Sequence, residues 1–403
     1  MGDGRITSPR GDPDPLRASP YHVDATHRPR VPTTCGPGGA RRDLDRPPRT
    51  ALGCGRTSAP ASPLATLPSL SILFLTHAAL AGHDAGPGHP ERPARLEAVR
   101  AGADGAGVGE ALVSLTARMA RRDELEALHP AAYLDALERF CAAGGGDIDA
   151  DTGAVPASWT AALLAAGAGP DAVERLDRGE GSAAFCAVRP PGHHASPRRA
   201  MGFCLLNNVA VTAALLADRG ERVAILDWDA HHGNGTEAAF YDDPRVLYAS
   251  LHEHPLYPGT GRLRDTGGVG AEGTTINLPL PSGATGDVAL AAMDEVVLPA
   301  IERFAPTWLL ISAGFDGHRD DPLTGLALSS GDFADLTRRA MAIVPAGRRI
   351  AFLEGGYDLQ ALADSSGACL AALAGVDHRP ERATAGGPGH HVVTAARTVH
   401  DLV

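Results

Sequence analysis

VAILDWDAHHGN, residues 223–234, runs from an unbroken apolar stretch straight into a cluster of carboxylates and imidazoles. Its first part reads as a strand buried on both faces, because a half-exposed strand would alternate apolar with polar residues. The same pattern recurs along the chain. FCAV at 185–188 leads into RPPGHH at 189–194, WLLI at 308–311 into SAGFDGHRDD at 312–321, and IAFL at 350–353 into EGGYD at 354–358. Further apolar runs at 69–75 and 246–249, and helical patterns at 208–217, 288–304 and 331–343, fall between them. Apolar strands alternating with helices predict an α/β fold of three layers, a parallel sheet covered on both faces. In open α/β sheets ligands bind beyond the carboxyl ends of the strands. Four chemically rich clusters at four strand ends therefore converge on one site.

The clusters differ in chemistry. Alternate residues at a strand end point the same way, so Asp227, Asp229 and His231 can face one pocket. Carboxylate plus imidazole suits zinc, and Asp316 in the second acidic cluster is the natural third ligand, leaving a fourth position open for water. Taken alone, DWDAHH also reads as a solvated loop whose aspartates cap the next helix; the second acidic cluster makes that the weaker reading. His193 and His194, on a Pro/Gly-stiffened loop, read as a general-base pair, or else as a second metal site or satisfied loop histidines. The best acceptors to orient them are Asp227 and Asn234, since Asp229 and His231 would be committed to metal. Two glycines let Tyr357 reach towards the site, where a phenol could donate to an oxyanion. Singly, a Tyr after two glycines is more often a turn residue.

Composition bounds the rest. All 36 basic residues are arginine against 48 acidic ones, and the net charge of −12 lacks the basic face a nucleic-acid surface needs. The Ala/Gly/Pro-rich, lysine-free composition points to a bacterial source. No apolar run approaches the ~18 residues of a membrane span, and no signal-peptide pattern opens the chain, so a cytoplasmic protein without direct nucleic-acid or membrane partners is expected. Six irregularly spaced cysteines make no disulfide framework; Cys141, Cys186, Cys204 and Cys369 lie in apolar surroundings and are expected reduced. Residues 1–69 are rich in proline and arginine and nearly free of apolar periodicity, which predicts a disordered or spurious extension. The folded catalytic domain is expected at 70–380, and a flexible C-terminal segment at 381–403.

Taken in combination, GHPERPARL (88–96), RPPGHHA (189–195), GFCLLNN (202–208), DWDAHHGNGT (227–236), SLHEHPLYPGTG (250–261), SAGFDGHRDDPLTG (312–325) and EGGYDL (354–359) resemble the histone deacetylase family, with its acetylpolyamine and acetoin-utilisation relatives. Trp228, Asn234 and the HPLYPGTG run resemble the class II and bacterial branch. The resemblance implies an arginase/deacetylase-like fold with a central, mostly parallel eight-stranded sheet and one catalytic Zn²⁺ per chain, held by Asp229, His231 and Asp316. It makes His194 the general base and then acid, His193 an electrostatic partner paired with Asp227, and Tyr357 the oxyanion donor. Gly202 and Phe203 would line an acyl-lysine tunnel, with Tyr257 opposite and Leu323 at its side. A structural K⁺ would be held by Asp227, Ser250 and backbone carbonyls of Asp229, His231 and Leu251. His77, His83, His89 and Glu91 are expected in the entrance loop.

The implied activity is hydrolysis of acetyl-lysine in proteins or of small acetylated amines, with acetylpolyamine amidohydrolysis as the alternative. No long insertion between 71 and 375 narrows the entrance, and an oligomer stays open. A two-metal arginase-type ureohydrolase would need a carboxylate where Gly233 stands and a second one beside Asp316. An inactive acyl-lysine-binding module would have lost a ligand, a histidine of the pair or the Tyr.

Overall fold

The structure, a computed structural model, describes residues 70–402. The expectations for residues 1–69, with Cys35 and Cys54, lie outside them. The strands are β1 (Ile72–Thr76), β2 (Leu112–Thr116), β3 (Gly146–Asp147), β4 (Gly153–Ala154), β5 (Ala183–Cys186), β6 (Val223–Asp227), β7 (Val246–Glu253), β8 (Thr275–Leu280), β9 (Trp308–Ala313) and β10 (Arg349–Leu353). The helices are α1 (Ala94–Gly105), α2 (Arg122–Glu126), α3 (Ala131–Ala142), α4 (Ser158–Asp177), α5 (Asn208–Asp218), α6 (Asn234–Phe240), α7 (Gly286–Ala292), α8 (Leu298–Phe304), α9 (Ser330–Met341), α10 (Leu359–Leu373) and α11 (His390–Val399).

Strands β3 and β4 form a small antiparallel hairpin. The other strands make one eight-stranded sheet in the order β2-β1-β5-β10-β9-β6-β7-β8, and every pair in it is parallel. The unbroken apolar runs have the expected cause. Ile72 and Phe74 of β1 join a core with α1, α7, α9, α10 and α11 on one face, while Leu73 and Leu75 join a core with α4 and α5 on the other. Alternate residues thus serve opposite faces and neither face may be polar. The sheet order does the most for function. β5, β10, β9 and β6 are consecutive neighbours, so the four polar clusters leave the same edge of the sheet side by side.

Three elements depart from the sequence reading. β8 carries Pro279, which argues against a central strand; it is tolerated because β8 is the edge of the sheet. The single helix expected at 288–304 contains a π-turn at Met293–Val297, just ahead of Pro299, whose ring and missing N–H do not fit a regular α-turn. Residues 381–402, within the segment expected to be flexible, are packed on the domain. Glu381 receives the Ser330 N–H at 2.9 Å and Thr384 Oγ1 donates to Asp332 at 2.8 Å. The Gly/Pro stretch there is a turn into α11, which buries Val392, Val393 and Ala396 in the core shared with α7. Cys141, Cys186, Cys204 and Cys369 are buried free thiols. Among the described residues no helix is long and apolar enough to cross a membrane.

Candidate metal and catalytic site

Two residues beyond the end of β6, Asp229 is buried, and its carboxylate meets the loop after β10. The register sets Asp227 beside Ser312 on β9, which places the loop after β9 against the loop after β6. His231 Nδ1 consequently lies 3.2 Å from Asp229 Oδ1 and 2.9 Å from Asp316 Oδ2. One ligand atom from each of Asp229, His231 and Asp316 falls within 4.8 Å of the others. Backbone donors fix both carboxylates: Gly355 N donates to Asp229 Oδ2 at 2.7 Å, and Ala230 N to Asp316 Oδ1 at 2.8 Å. Gly355 has no alternative, since a Cβ there would lie 2.2 Å from Asp316 Oδ2.

The loop after β5 brings the two other histidines over this cluster, their rings 4.1 Å apart. His193 Nδ1 is 3.1 Å from Asp227 Oδ2, which also accepts the Tyr248 hydroxyl at 3.0 Å. His194 Nδ1 is 2.9 Å from Asn234 Oδ1. The two therefore differ electrically. Burial disfavours charge on His193, but Asp229 and Asp227 outweigh it and carry its pKa up to about 10. Burial, with the positive His193 and His231 beside it, pushes His194 well below the ordinary histidine value. For Asp316, burial and then Asp229 raise the carboxyl to about 7, with His231 opposing.

A cavity of about 200 Å³ opens beside these groups, lined by Asp151, His194, Gly202, Phe203, His231, Leu256, Tyr257, Leu323 and Tyr357. Gly202 (φ +57°) and Phe203 (φ +67°) both adopt left-handed backbone, which costs a phenylalanine about 1–3 kcal/mol. The turn has a steric reason: a Cβ on Gly202 would sit 2.4 Å from His194 Cδ2. The Phe203 ring then meets the Tyr357 ring edge-on at 5.7 Å and the His89 ring at 4.6 Å. Tyr257 faces the His194 ring from the other side at 5.2 Å. Burial pushes the Tyr357 phenol well above its usual pKa, so it stays protonated. Of the residues expected to hold a monovalent cation, β6 and β7 pair Asp227 with Ser250, next to Leu251.

Several groups that hold this site escaped the sequence reading. Glu91 is buried beneath the loops and does not line the entrance. Its carboxylate takes a two-pronged pair from Arg189 (2.8 and 2.6 Å) and a third contact from Arg95 at 3.3 Å. Arg189 opens the tandem-histidine loop, and Arg95 crosses to the loop after β10. There Arg95 donates to the carbonyls of Glu354 and Gly356, the latter at 2.7 Å, with its guanidinium 5.1 Å from the Tyr357 ring centre. Glu354 in turn accepts Gly192 N at 2.7 Å and His193 N at 3.2 Å. Only the spacing of Glu91 and Arg95, four residues apart at the start of α1, hinted at any of this. Asp151, on the β3–β4 hairpin, had no periodic pattern to mark it.

Comparison with known proteins gives a consistent result. Residues 89–373 match the family described as histone deacetylase domain. A protein described as a probable deacetylase from Archaeoglobus fulgidus is 41% identical over 302 residues, covering 73% of this chain and 84% of that protein. The histone deacetylase-like amidohydrolase of Pseudomonas aeruginosa is 38% identical over 279 residues, 68% of this chain and 73% of its own length. The crystal structure of the HDA15 HD domain matches with a TM-score of 0.76 at 35% identity, covering 82% of this chain and 94% of that one.

Proposed function

The chain belongs to the histone deacetylase family, and we propose on that footing that it hydrolyses N-acetyl or similar short acyl amides of a lysine-like amine with one zinc ion held by Asp229, His231 and Asp316. One observation carries the proposal. Two buried carboxylates and an imidazole meet beside a cavity whose walls also hold a neutral imidazole, a protonated phenol and apolar side chains. The donor set fits a divalent cation: Asp229 and Asp316 crowd one another, and His231 alone pairs with both. When bound, such an ion polarises a carbonyl and lowers the pKa of a water at its open position.

The chain's own residues supply the remaining steps. His194 is neutral and hydrogen-bonded to an uncharged amide, Asn234, so its free nitrogen is ready to take the proton of the attacking water and return it to the leaving amine. His193, held as a cation by Asp227, contributes positive charge beside the reacting carbonyl and is not the base. Tyr357 donates to the oxygen where negative charge develops. Phe203, Tyr257 and Leu323 provide an apolar slot for the methylene stem of the amine and shed water from it. A K⁺ held by Asp227, Ser250 and carbonyls of Asp229, His231 and Leu251 would offset the negative charge of the buried carboxylates.

Geometry disfavours a second metal. A Cβ at Gly233 would meet Asp227 Oδ2 at 2.4 Å and the Tyr248 hydroxyl at 2.6 Å, leaving no room for the carboxylate a two-metal ureohydrolase requires. The test is a panel of acetyl-lysine peptides and acetylated polyamines with zinc-loaded protein. Turnover on at least one is expected, falling about 10²–10⁴-fold in His194→Ala. Unchanged turnover in that variant contradicts the assignment, and turnover on polyamines alone moves the substrate class.

A further inference from the structure

Asp321 belongs to the acidic cluster after β9, yet neither the metal set nor the proton path uses it. It is buried, and among the described residues it forms no ion pair. Its carboxylate is nonetheless fully engaged. One oxygen accepts Tyr357 N at 2.7 Å and Asp358 N at 3.4 Å, and the other accepts Leu323 N at 3.0 Å. We propose that Asp321 is a positioning residue that ties the Tyr357 hydroxyl donor and the Leu323 wall of the cavity to one another, so that the oxyanion donor and the substrate slot move as a unit.

The local chemistry accounts for the choice of side chain. The turn carrying Tyr357 is gripped from two sides: Arg95 takes the carbonyls of Glu354 and Gly356, and Asp321 takes the amides of Tyr357 and Asp358. A cation on the carbonyls and an anion on the amides fix the peptide planes that aim the phenol. An ionised carboxylate only accepts, so it satisfies N–H groups from both loops at once. Asparagine has one oxygen and one NH₂, and the NH₂ must face one set of donors. Asp321→Asn therefore keeps the volume and cuts one of the two ties. Freed by one tie, Tyr357 drifts, and a misplacement near 1 Å costs on the order of 10²-fold in rate.

This inference rests on Tyr357 being the oxyanion donor, and a double-mutant cycle separates the two claims. Zinc-loaded wild type, Asp321→Asn, Tyr357→Phe and the double variant are compared by kcat and KM on one acetyl-lysine peptide, with bound zinc and melting temperature recorded for each. Asp321→Asn is expected to lower kcat roughly 10- to 100-fold, with zinc content unchanged. In the Tyr357→Phe background the same change should cost little, because the group it aims is gone. Full additivity in kcat, or an Asp321→Asn enzyme with normal kcat, overturns the positioning role. Normal kcat in Tyr357→Phe overturns the reading of Tyr357 instead. Should Asp321→Asn fail to fold, hydrogen exchange on the wild type decides: peptides holding Leu323 and Tyr357 are expected to open together and slowly, and rapid exchange at Tyr357 overturns the tie.

Discussion

Replacing Asp316 by asparagine should stabilise the metal-free protein and abolish most of its response to zinc. Burial and the adjacent Asp229 carry the Asp316 carboxyl from 3.8 up to about 7, against the pull of His231. At about 1.36 kcal/mol per pH unit, keeping that group ionised near pH 7.5 costs the metal-free fold on the order of 4 kcal/mol. Because the folded value lies above the unfolded one, the cost is absent in strong acid, grows as pH rises from about 3.8 to about 7, and is complete above that. It should be roughly halved near pH 5.5. Asparagine retains an acceptor for the Ala230 N–H and removes the charge. Unfolding entropy of about 2.1 cal/mol/K per residue over roughly 330 residues gives about 0.7 kcal/mol per degree, so the metal-free variant should melt up to about 6 °C above metal-free wild type. Zinc at a hundredfold excess over Kd should add about 2.7 kcal/mol, or about 4 °C, to wild type and far less to the variant. Calorimetry with chelator and with zinc, at two pH values, reads all of this. A metal-free variant that melts below wild type, or equal zinc shifts in both, refutes the reasoning.

Other expectations follow from the same contacts. Gly202→Ala forces a Cβ to within 2.4 Å of the His194 ring at a left-handed backbone position, so kcat should fall about 10²-fold while zinc content is kept; full activity would show that the ring has room to move. His129 should make a contribution to the fold that acid removes. Asn207 N donates to His129 Nε2 while His129 Nδ1 pairs with the Pro197 carbonyl, so the ring must be neutral, and burial lowers its pKa from 6.5 to about 4. The unfolded chain then binds a proton that the folded one refuses. On the order of 3 kcal/mol should be lost as pH falls from about 6.5 to 4, and His129→Gln should flatten that slope of melting temperature. A slope unchanged in His129→Gln would place the acid sensitivity elsewhere.

The parts legible in the sequence are those whose chemistry is contiguous. Asp227, Asp229, His231 and Asn234 share one strand end, and β5, β9 and β10 each carry their own cluster, so the strand-end rule alone gathers them. Nothing local encodes that β5, β10, β9 and β6 are neighbours, although that order makes the clusters meet. The supporting contacts are less legible still. Arg95 and Arg189 sit in the GHPERPARL and RPPGHHA motifs but received no role from the sequence, and only the fold brings Arg95 to carbonyls some 260 positions away. Glu91 was expected in the entrance loop; glutamate is rarely buried without partners, and here two arginines supply them. In the C-terminal segment, glycine and proline signalled a linker and masked the apolar face of α11 beyond it.

The central claim, one metal ion held by Asp229, His231 and Asp316 and used to cleave an acyl amide, is tested most directly by titrating metal-free protein with zinc while measuring acetate release from an acetyl-lysine peptide. Activity is expected to rise linearly and saturate at one equivalent per chain, and to stay at background in Asp316→Ala. Saturation at two equivalents, or wild-type turnover in Asp316→Ala, would contradict it.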